Sequence, residues 1–116
     1  MHNIKELKIW NKAIELSIEI YQVTERFPKN EQYGIISQMR RAGVSIPSNI
    51  SEGAGRNSKK EFIQFLAIAN GSSYELQSQI VISSQLNFLT KDKTEHLLGK
   101  IDEIQKMNYS FQKTLR

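Results

Sequence analysis

The 116-residue sequence predicts an all-α fold, an antiparallel up-down-up-down four-helix bundle. Three observations predict it. Apolar residues recur at heptad spacing in four segments, near 4–26, 31–54, 59–88 and 91–115. Proline and glycine punctuate the chain sparsely, mostly at the ends of those segments. No stretch sustains the apolar–polar alternation of a strand. At 1.5 Å per residue each helix is about 35–45 Å long, and such short links imply antiparallel neighbours. The length fits one domain spanning residues 1–116.

The first helix carries Leu7, Trp10, Ile14, Ser17 and Tyr21 at heptad spacing and ends before Pro28. Asn30 is placed to cap the second helix. That helix carries Ile36, Met39, Gly43, Ile46 and Ile50, and Gly53-Ala54-Gly55 ends it. Pro47 lies inside it, removing one N–H and crowding the carbonyl of Gly43, so a kink near Pro47 is expected. Ser58-Lys59-Lys60-Glu61 reads as a capping box opening the third helix. Its heptad residues are Phe62, Leu66, Ala69, Ser73, Leu76 and Ile80. Asn70-Gly71 would signal a hairpin in a β protein, but it sits inside this strong helical repeat. Thr90 caps the fourth helix, with Leu97, Ile101, Ile104, Asn108, Phe111 and Leu115 facing inward.

Two helices carry more apolar surface than one core needs. At 100° per residue, Ile9, Ala13, Leu16, Ile20 and Val23 fall nearly opposite the Leu7–Trp10–Tyr21 stripe. Ile63, Ala67, Tyr74 and Val81 form a second stripe on the third helix. The simplest account is a second copy of the chain, with Ile9, Leu16, Ile20, Val23, Ile63, Tyr74 and Val81 at the oligomer interface. The alternative is a monomer wrapped tightly enough to cover both stripes.

Sixteen Lys and Arg against twelve Asp and Glu leave a net charge of +4. Residues 40–60 hold five cations and one acid, and the remainder is balanced at eleven each. The absence of cysteine excludes disulfides, thiol chemistry and cysteine zinc sites. Phe62–Thr90 contains one charged residue, Glu75, but its many Gln, Ser and Asn argue against a membrane span. Met1–Glu6 lacks the apolar run of a secretory signal, so a soluble cytoplasmic protein is expected.

Chemistry-bearing residues are few. His2 is terminal and His96 stands alone at the start of the fourth helix. No His/Asp/Glu set has metal-ligand spacing, and no metal, cofactor or enzymatic activity is expected. Gly53-Ala54-Gly55 has no preceding strand and lacks the Walker spacing, so it is not a nucleotide loop. Arg41, Arg56, Lys59 and Lys60 are the candidates for nucleic-acid phosphates, the latter three together with N–H groups opening the third helix. Arg40 falls at the edge of the core stripe. It is read as a structural partner of Glu75, the one acid within Phe62–Thr90, with phosphate contact as the other reading. Asn49 and Glu52 are read as polar ties holding the Pro47 bend and the helix end. Trp10, Tyr21, Tyr33 and Tyr74 could stack on bases, but their heptad or stripe positions favour packing.

Gln38…Arg40-Arg41-Ala42…Ser45-Ile46-Pro47-Ser48-Asn49-Ile50…Glu52-Gly53…Gly55-Arg56…Ser58…Glu61-Phe62 resembles the four-helix-bundle proteins encoded in intervening sequences of 23S ribosomal RNA genes, the S23 family. Supporting matches are Trp10…Ala13, Phe27-Pro28…Glu31…Tyr33-Gly34 and Ala69…Gly71-Ser72…Glu75-Leu76. Gly43 departs from the alanine more usual there. The resemblance implies a ring-like homopentamer. It also implies kinship with the accessory protein of diversity-generating retroelements, a basic pentameric barrel that associates with nucleic acid and a reverse transcriptase. The expected function is therefore a non-catalytic homo-oligomer binding RNA or DNA through a basic surface, with RNA favoured. The alternative is a protein-interaction scaffold or an accessory subunit of a nucleic-acid enzyme. Five copies would carry about +20, enough to attract a polyanion.

Overall fold

The computed structural model describes residues 3–116, so His2 lies outside the described residues. Four helices follow in chain order: α1, Lys8–Thr24; α2, Ser37–Ala54; α3, Lys59–Gln85; α4, Lys91–Leu115. Among the described residues there is no strand. Cross-helix contacts define the directions. Thr24 of α1 meets Arg40 of α2, while Ile20 and Ser17 lie against Gly43. Ser45 of α2 bonds Ser72 of α3 at 2.8 Å, and Gly53 abuts Phe62. Gln77 of α3 meets Gln105 of α4, and Leu66 meets Asn108. Lys12 of α1 pairs with Glu103 of α4, and Glu19 with His96. In each pair the numbering rises on one helix as it falls on the other. The bundle is therefore up-down-up-down, within an envelope of 43 × 24 × 20 Å.

The heptad stripes of α2, α3 and α4 line the core. Met39, Ile46, Ile50, Leu66, Leu76, Ile80, Leu97, Ile101 and Ile104 are all buried. Each such side chain contributes about 1.5–3 kcal/mol by leaving water. Helix α1 reverses the expectation. Ile9, Ala13, Leu16 and Ile20 face the core, Leu16 and Ile20 with no exposure, and half-buried Val23 packs against it. Ile18 and Tyr21, on the other stripe, are 52% and 45% exposed. Ile9, Leu16 and Ile20 are therefore core residues, not interface residues. Gly43 has no side chain, which lets Ile20 and Ser17 approach α2 closely.

Local chemistry sets the ends. Ser58 Oγ accepts from the Glu61 N–H at 3.1 Å, and Thr90 Oγ1 from the Lys93 N–H at 3.1 Å, the two predicted caps. Asn30 is no cap. It lies in a 3-10 turn, Lys29–Glu31, that leads through a π turn, Gln32–Ile36, into α2, whose first residue follows an already helical Ile36. Helix α3 stops at Gln85, three residues before the predicted 88. Asn87 takes φ 65°, and Phe88 N–H bonds the Ser83 carbonyl while Asn87 N–H bonds that of Ser84. That is a Schellman ending with asparagine where glycine is commonest. Helix α2 continues through Pro47, which is buried.

Candidate nucleic-acid interface

The turn from α2 to α3 depends on a close helix approach. A Cβ on Gly53 would lie 2.7 Å from the Phe62 ring and 2.8 Å from Phe65 Cβ, so only glycine fits there without a shift. The chain then reverses, and Arg56 braces it. Its guanidinium bonds Glu52 at 2.9 Å, lies 3.8 Å from Glu61 and sits 4.9 Å from the Phe65 ring centre. Two carboxylates thus offset Arg56, which leaves it a poor phosphate ligand. The first turn of α3 is also occupied. Ser58 accepts the Glu61 N–H and donates to the Glu61 carboxylate at 3.2 Å, so an acid already sits where an anion would bind. Lys59 and Lys60 are exposed and engage in no ion pair among the described residues.

Arg41 is exposed but stands apart. Thirteen residues separate it from Ala54, about 20 Å along α2. The structure therefore brings Arg56, Lys59 and Lys60 together and leaves Arg41 alone. Arg40 is structural, but through a different partner. Its Nε donates to Thr24 Oγ1 at 2.9 Å, and its Nη2 donates to the Tyr21 carbonyl and the Glu25 carboxylate, both at 3.3 Å. The guanidinium also lies 4.6 Å from the Tyr21 ring centre. It faces α1 and adds a donor to the Tyr21 carbonyl, which also accepts from the Glu25 N–H, at a helix end where the dipole favours a cation. Glu75 points to solvent on α3 and needs no buried partner.

A model of the 23S rRNA-intervening sequence protein family matches residues 5–110. The chain belongs to that family. A crystal structure of a protein with unknown function from the S23 ribosomal protein family of Bacteroides thetaiotaomicron VPI-5482 superposes with a TM-score of 0.83. It is 24% identical and covers 90% of this chain and 95% of its own, a likeness of fold. No curated protein matches the chain.

In this 23S rRNA-intervening sequence protein, the run Ser45–Ile50 is a packing element. Ile46, Pro47 and Ile50 are buried. Asn49 Nδ2 donates to the Ser45 carbonyl at 2.8 Å and to Ser45 Oγ at 2.9 Å, while Ser45 reaches Ser72 on α3. Asn49 thus ties one turn of α2 beside Pro47 to itself and, through Ser45, to α3. Glu52 holds the helix end through the Arg56 side chain instead of through backbone bonds.

Other polar groups of this family member were invisible to a linear reading. His96 bonds Glu19 across α1 and α4 at 2.7 Å, with Lys100 Nζ 3.5 Å from the same carboxylate. Burial alone would raise the Glu19 carboxyl, but the His96 hydrogen bond and the Lys100 charge outweigh it and hold the group below its usual range. Asn108, 1% exposed, donates to the Leu66 carbonyl at 2.9 Å and accepts from Gln112 at 2.6 Å. Among the described residues no three His, Asp or Glu side chains gather as metal ligands, and no helix is long and apolar enough to cross a membrane.

Two groups of exposed apolar side chains bear on self-association, and Tyr33, Ile68, Ile82, Leu86 and Tyr109 are exposed as well. Ile18, Tyr21 and Val44 are exposed on α1 and α2, with Ile14 half-buried beside them. Tyr74 and Val81 are exposed and Ile63 half-buried on α3. Tyr74 and Val81 flank Gln77, which meets α4, so this second patch borders α4. In a square bundle the α1–α2 edge is opposite the α3–α4 edge.

Proposed function

We propose that the protein is a non-catalytic, cytoplasmic homo-oligomer, a pentamer, that binds the phosphate backbone of RNA or DNA and has no membrane partner. One observation carries the reading. Five of the sixteen Lys and Arg pair with carboxylates, Lys12, Arg40, Arg56, Lys100 and Lys106, whereas the adjacent Lys59 and Lys60 at the α2–α3 turn, and Arg41 on α2, are exposed cations outside those pairs. Affinity comes from counterion release, with little base preference. Mobility shifts with structured RNA at several salt concentrations test this. Binding that weakens steeply with salt is expected. No binding at about 50 mM salt, or binding indifferent to salt, overturns it.

Self-association is supported by the two apolar patches, since exposed apolar side chains grouped on one face commonly mark an interaction site. Light scattering giving the chain mass of 13.4 kDa at micromolar concentration overturns that part. The same patches favour a second reading, a scaffold or accessory subunit that docks a protein partner. An assembled ring that still exposes one patch, and binds no nucleic acid, would favour it.

A further inference from the structure

Antiparallel packing sorts the charge along the bundle axis. Phe62 and Phe111 meet edge to face with ring centres 5.2 Å apart, and a groove between Leu7–Ile9 and Met107–Thr114 joins α1 to α4. The start of α1, the α2–α3 turn and the end of α4 therefore share one end. That end holds Lys5 and Lys8 from the first segment, Arg56, Lys59 and Lys60 from the turn, and Lys113 and Arg116 from α4. Against these seven cations stand three acids, Glu6, Glu52 and Glu61. The rest of the chain carries nine cations and nine acids. At the opposite end Arg26, Lys29, Lys91 and Lys93 are matched by Glu25, Glu31, Asp92 and Glu95. The whole excess of +4 thus lies at one end.

The placement also works against the helices. Lys8 and Lys59 are the first residues of α1 and α3, Lys60 follows, and Lys5 lies in the turn before α1. Helix dipoles disfavour cations there. Lys91 also opens α4 at the opposite end, so what distinguishes this end is its excess of cations over acids, which suits a ligand carrying negative charge. Arg56 lies over the Phe65 ring, and Lys113 approaches one face of the exposed Tyr109 ring at 5.3 Å. The four exposed lysines act as point charges with no fork to read a base edge, and a duplex presents them the denser line of phosphates.

Resting on the nucleic-acid reading above, we infer that this end of the bundle, through Lys5, Lys8, Lys59 and Lys60, is the surface that contacts the paired backbone of a duplex. Arg41, on the flank of α2, lies outside it. In a closed ring every copy presents this end to the same side, so the lysines of all copies act on one polyanion.

Two quadruple variants of the full chain test this. One carries Lys5→Gln, Lys8→Gln, Lys59→Gln and Lys60→Gln. The other carries Arg26→Gln, Lys29→Gln, Lys91→Gln and Lys93→Gln at the opposite end, with the same change in net charge. Both are compared with the unmodified protein on duplex RNA, duplex DNA and a single strand of equal length, between 50 and 200 mM salt. Thermal melts and mass in solution verify that each variant folds and assembles as before. Losing four phosphate contacts lowers the slope of log affinity against log salt by roughly 3–4 in the first variant, and the second changes it by less than about 1. If the unmodified protein binds no nucleic acid, the nucleic-acid reading fails and this one with it. If it binds but both variants weaken alike, or the first is unchanged, only the assignment to this end fails. A single strand bound tenfold more tightly than either duplex overturns the choice of duplex. A difference between the RNA and DNA arms identifies which backbone is preferred.

Discussion

Replacing Gly43 and Gly53 by alanine, one at a time, makes the same chemical change at two buried positions of α2 and should give opposite results. In a helix interior, glycine to alanine gains up to about 1 kcal/mol from backbone entropy alone. At Gly43 the new methyl meets Ile20 Cγ1 at 3.7 Å and Ser17 Cα at 3.8 Å, which is ordinary contact. Nothing has to move, and the methyl is buried, so Gly43→Ala should stabilise by about 1 kcal/mol. At Gly53 the methyl would fall 2.8 Å from Phe65 Cβ and 2.7 Å from the Phe62 ring. The ring can tilt, but Phe65 Cβ is attached to the α3 backbone, so the helices must separate. Overpacking of this kind costs about 1–3 kcal/mol, and Gly53 gains little from propensity because α2 ends one residue later. A net loss of about 1–2 kcal/mol is expected. Urea melts followed by circular dichroism, at one protein concentration because assembly contributes to stability, measure both. The corresponding Tm shifts are about +4 °C and about −4 to −8 °C. If Gly53→Ala equals the parent, the close approach of α2 and α3 is not what requires glycine. If Gly43→Ala destabilises, the space beside Ile20 is misjudged.

Three further substitutions probe named contacts. Arg40→Ala removes the bond to Thr24, the cap on the Tyr21 carbonyl and the Glu25 pair, and should cost roughly 1–2 kcal/mol in a urea melt, while Glu75→Gln stays within about 0.5 kcal/mol. An equal loss from both would restore the Arg40–Glu75 pairing. Glu19→Gln should cost roughly 1 kcal/mol at neutral pH. Because the folded carboxyl titrates below its ordinary 4.5, its contribution is complete above that pH and is lost as pH falls through the lowered value. The deficit should therefore shrink as pH falls below 4.5 through that lowered value, and a deficit that does not shrink as the solution is acidified contradicts the His96–Glu19–Lys100 cluster. Asn87→Gly relieves the left-handed residue ending α3 and should raise stability by about 0.5–1 kcal/mol, and a loss would mean the Asn87 side chain does more than end the helix.

Helices α2 and α4 were legible because each carries one dominant stripe, and in α3, which carries a second, the Phe62–Ile80 heptad is the stripe that lines the core. Ile36, Met39, Gly43, Ile46 and Ile50 leave α2 no second face to bury, and the heptads of α3 and α4 likewise match the core. Helix α1 carries two stripes of similar hydrophobicity, so periodicity could not choose between them. What chooses is the neighbours. Ala13 on the Leu16 side and buried Ser17 at the edge of the Leu7–Tyr21 stripe are small and permit close packing, and Glu15 and Glu19, between the stripes, meet Lys100 and His96 of α4. On the other side Arg40 holds Tyr21 at the surface. Those are relations between helices, and no single helix contains them. The basic cluster was half legible for the same reason. Arg56, Lys59 and Lys60 are neighbours in the chain. Lys5, Lys8, Lys113 and Arg116 join them only once the bundle folds back on itself.

The reversal of α1 changes what self-association would look like. With Leu16 and Ile20 inside, the α1–α2 patch is Ile18, Tyr21 and Val44, and it lies across the bundle from Tyr74 and Val81. Two different patches on opposite sides suit a head-to-tail contact, which closes into a ring, and not a two-fold contact between identical faces. Mixing two variants separates the cases. Ile18→Glu spoils the first patch and leaves the second intact, and Tyr74→Glu does the reverse. Neither residue is in the core, so each chain should fold, and each alone should be a monomer because every contact needs both patches. Mixed, a head-to-tail interface can form once, between the sound patch of each variant, and then has nowhere to propagate. Light scattering should then give a dimer near 27 kDa, twice the 13.4 kDa chain, and no ring. If the patches instead paired with themselves, Ile18→Glu would retain a sound Tyr74 face and dimerise without its partner variant. A dimer of either variant alone, or no dimer in the mixture, refutes the head-to-tail arrangement.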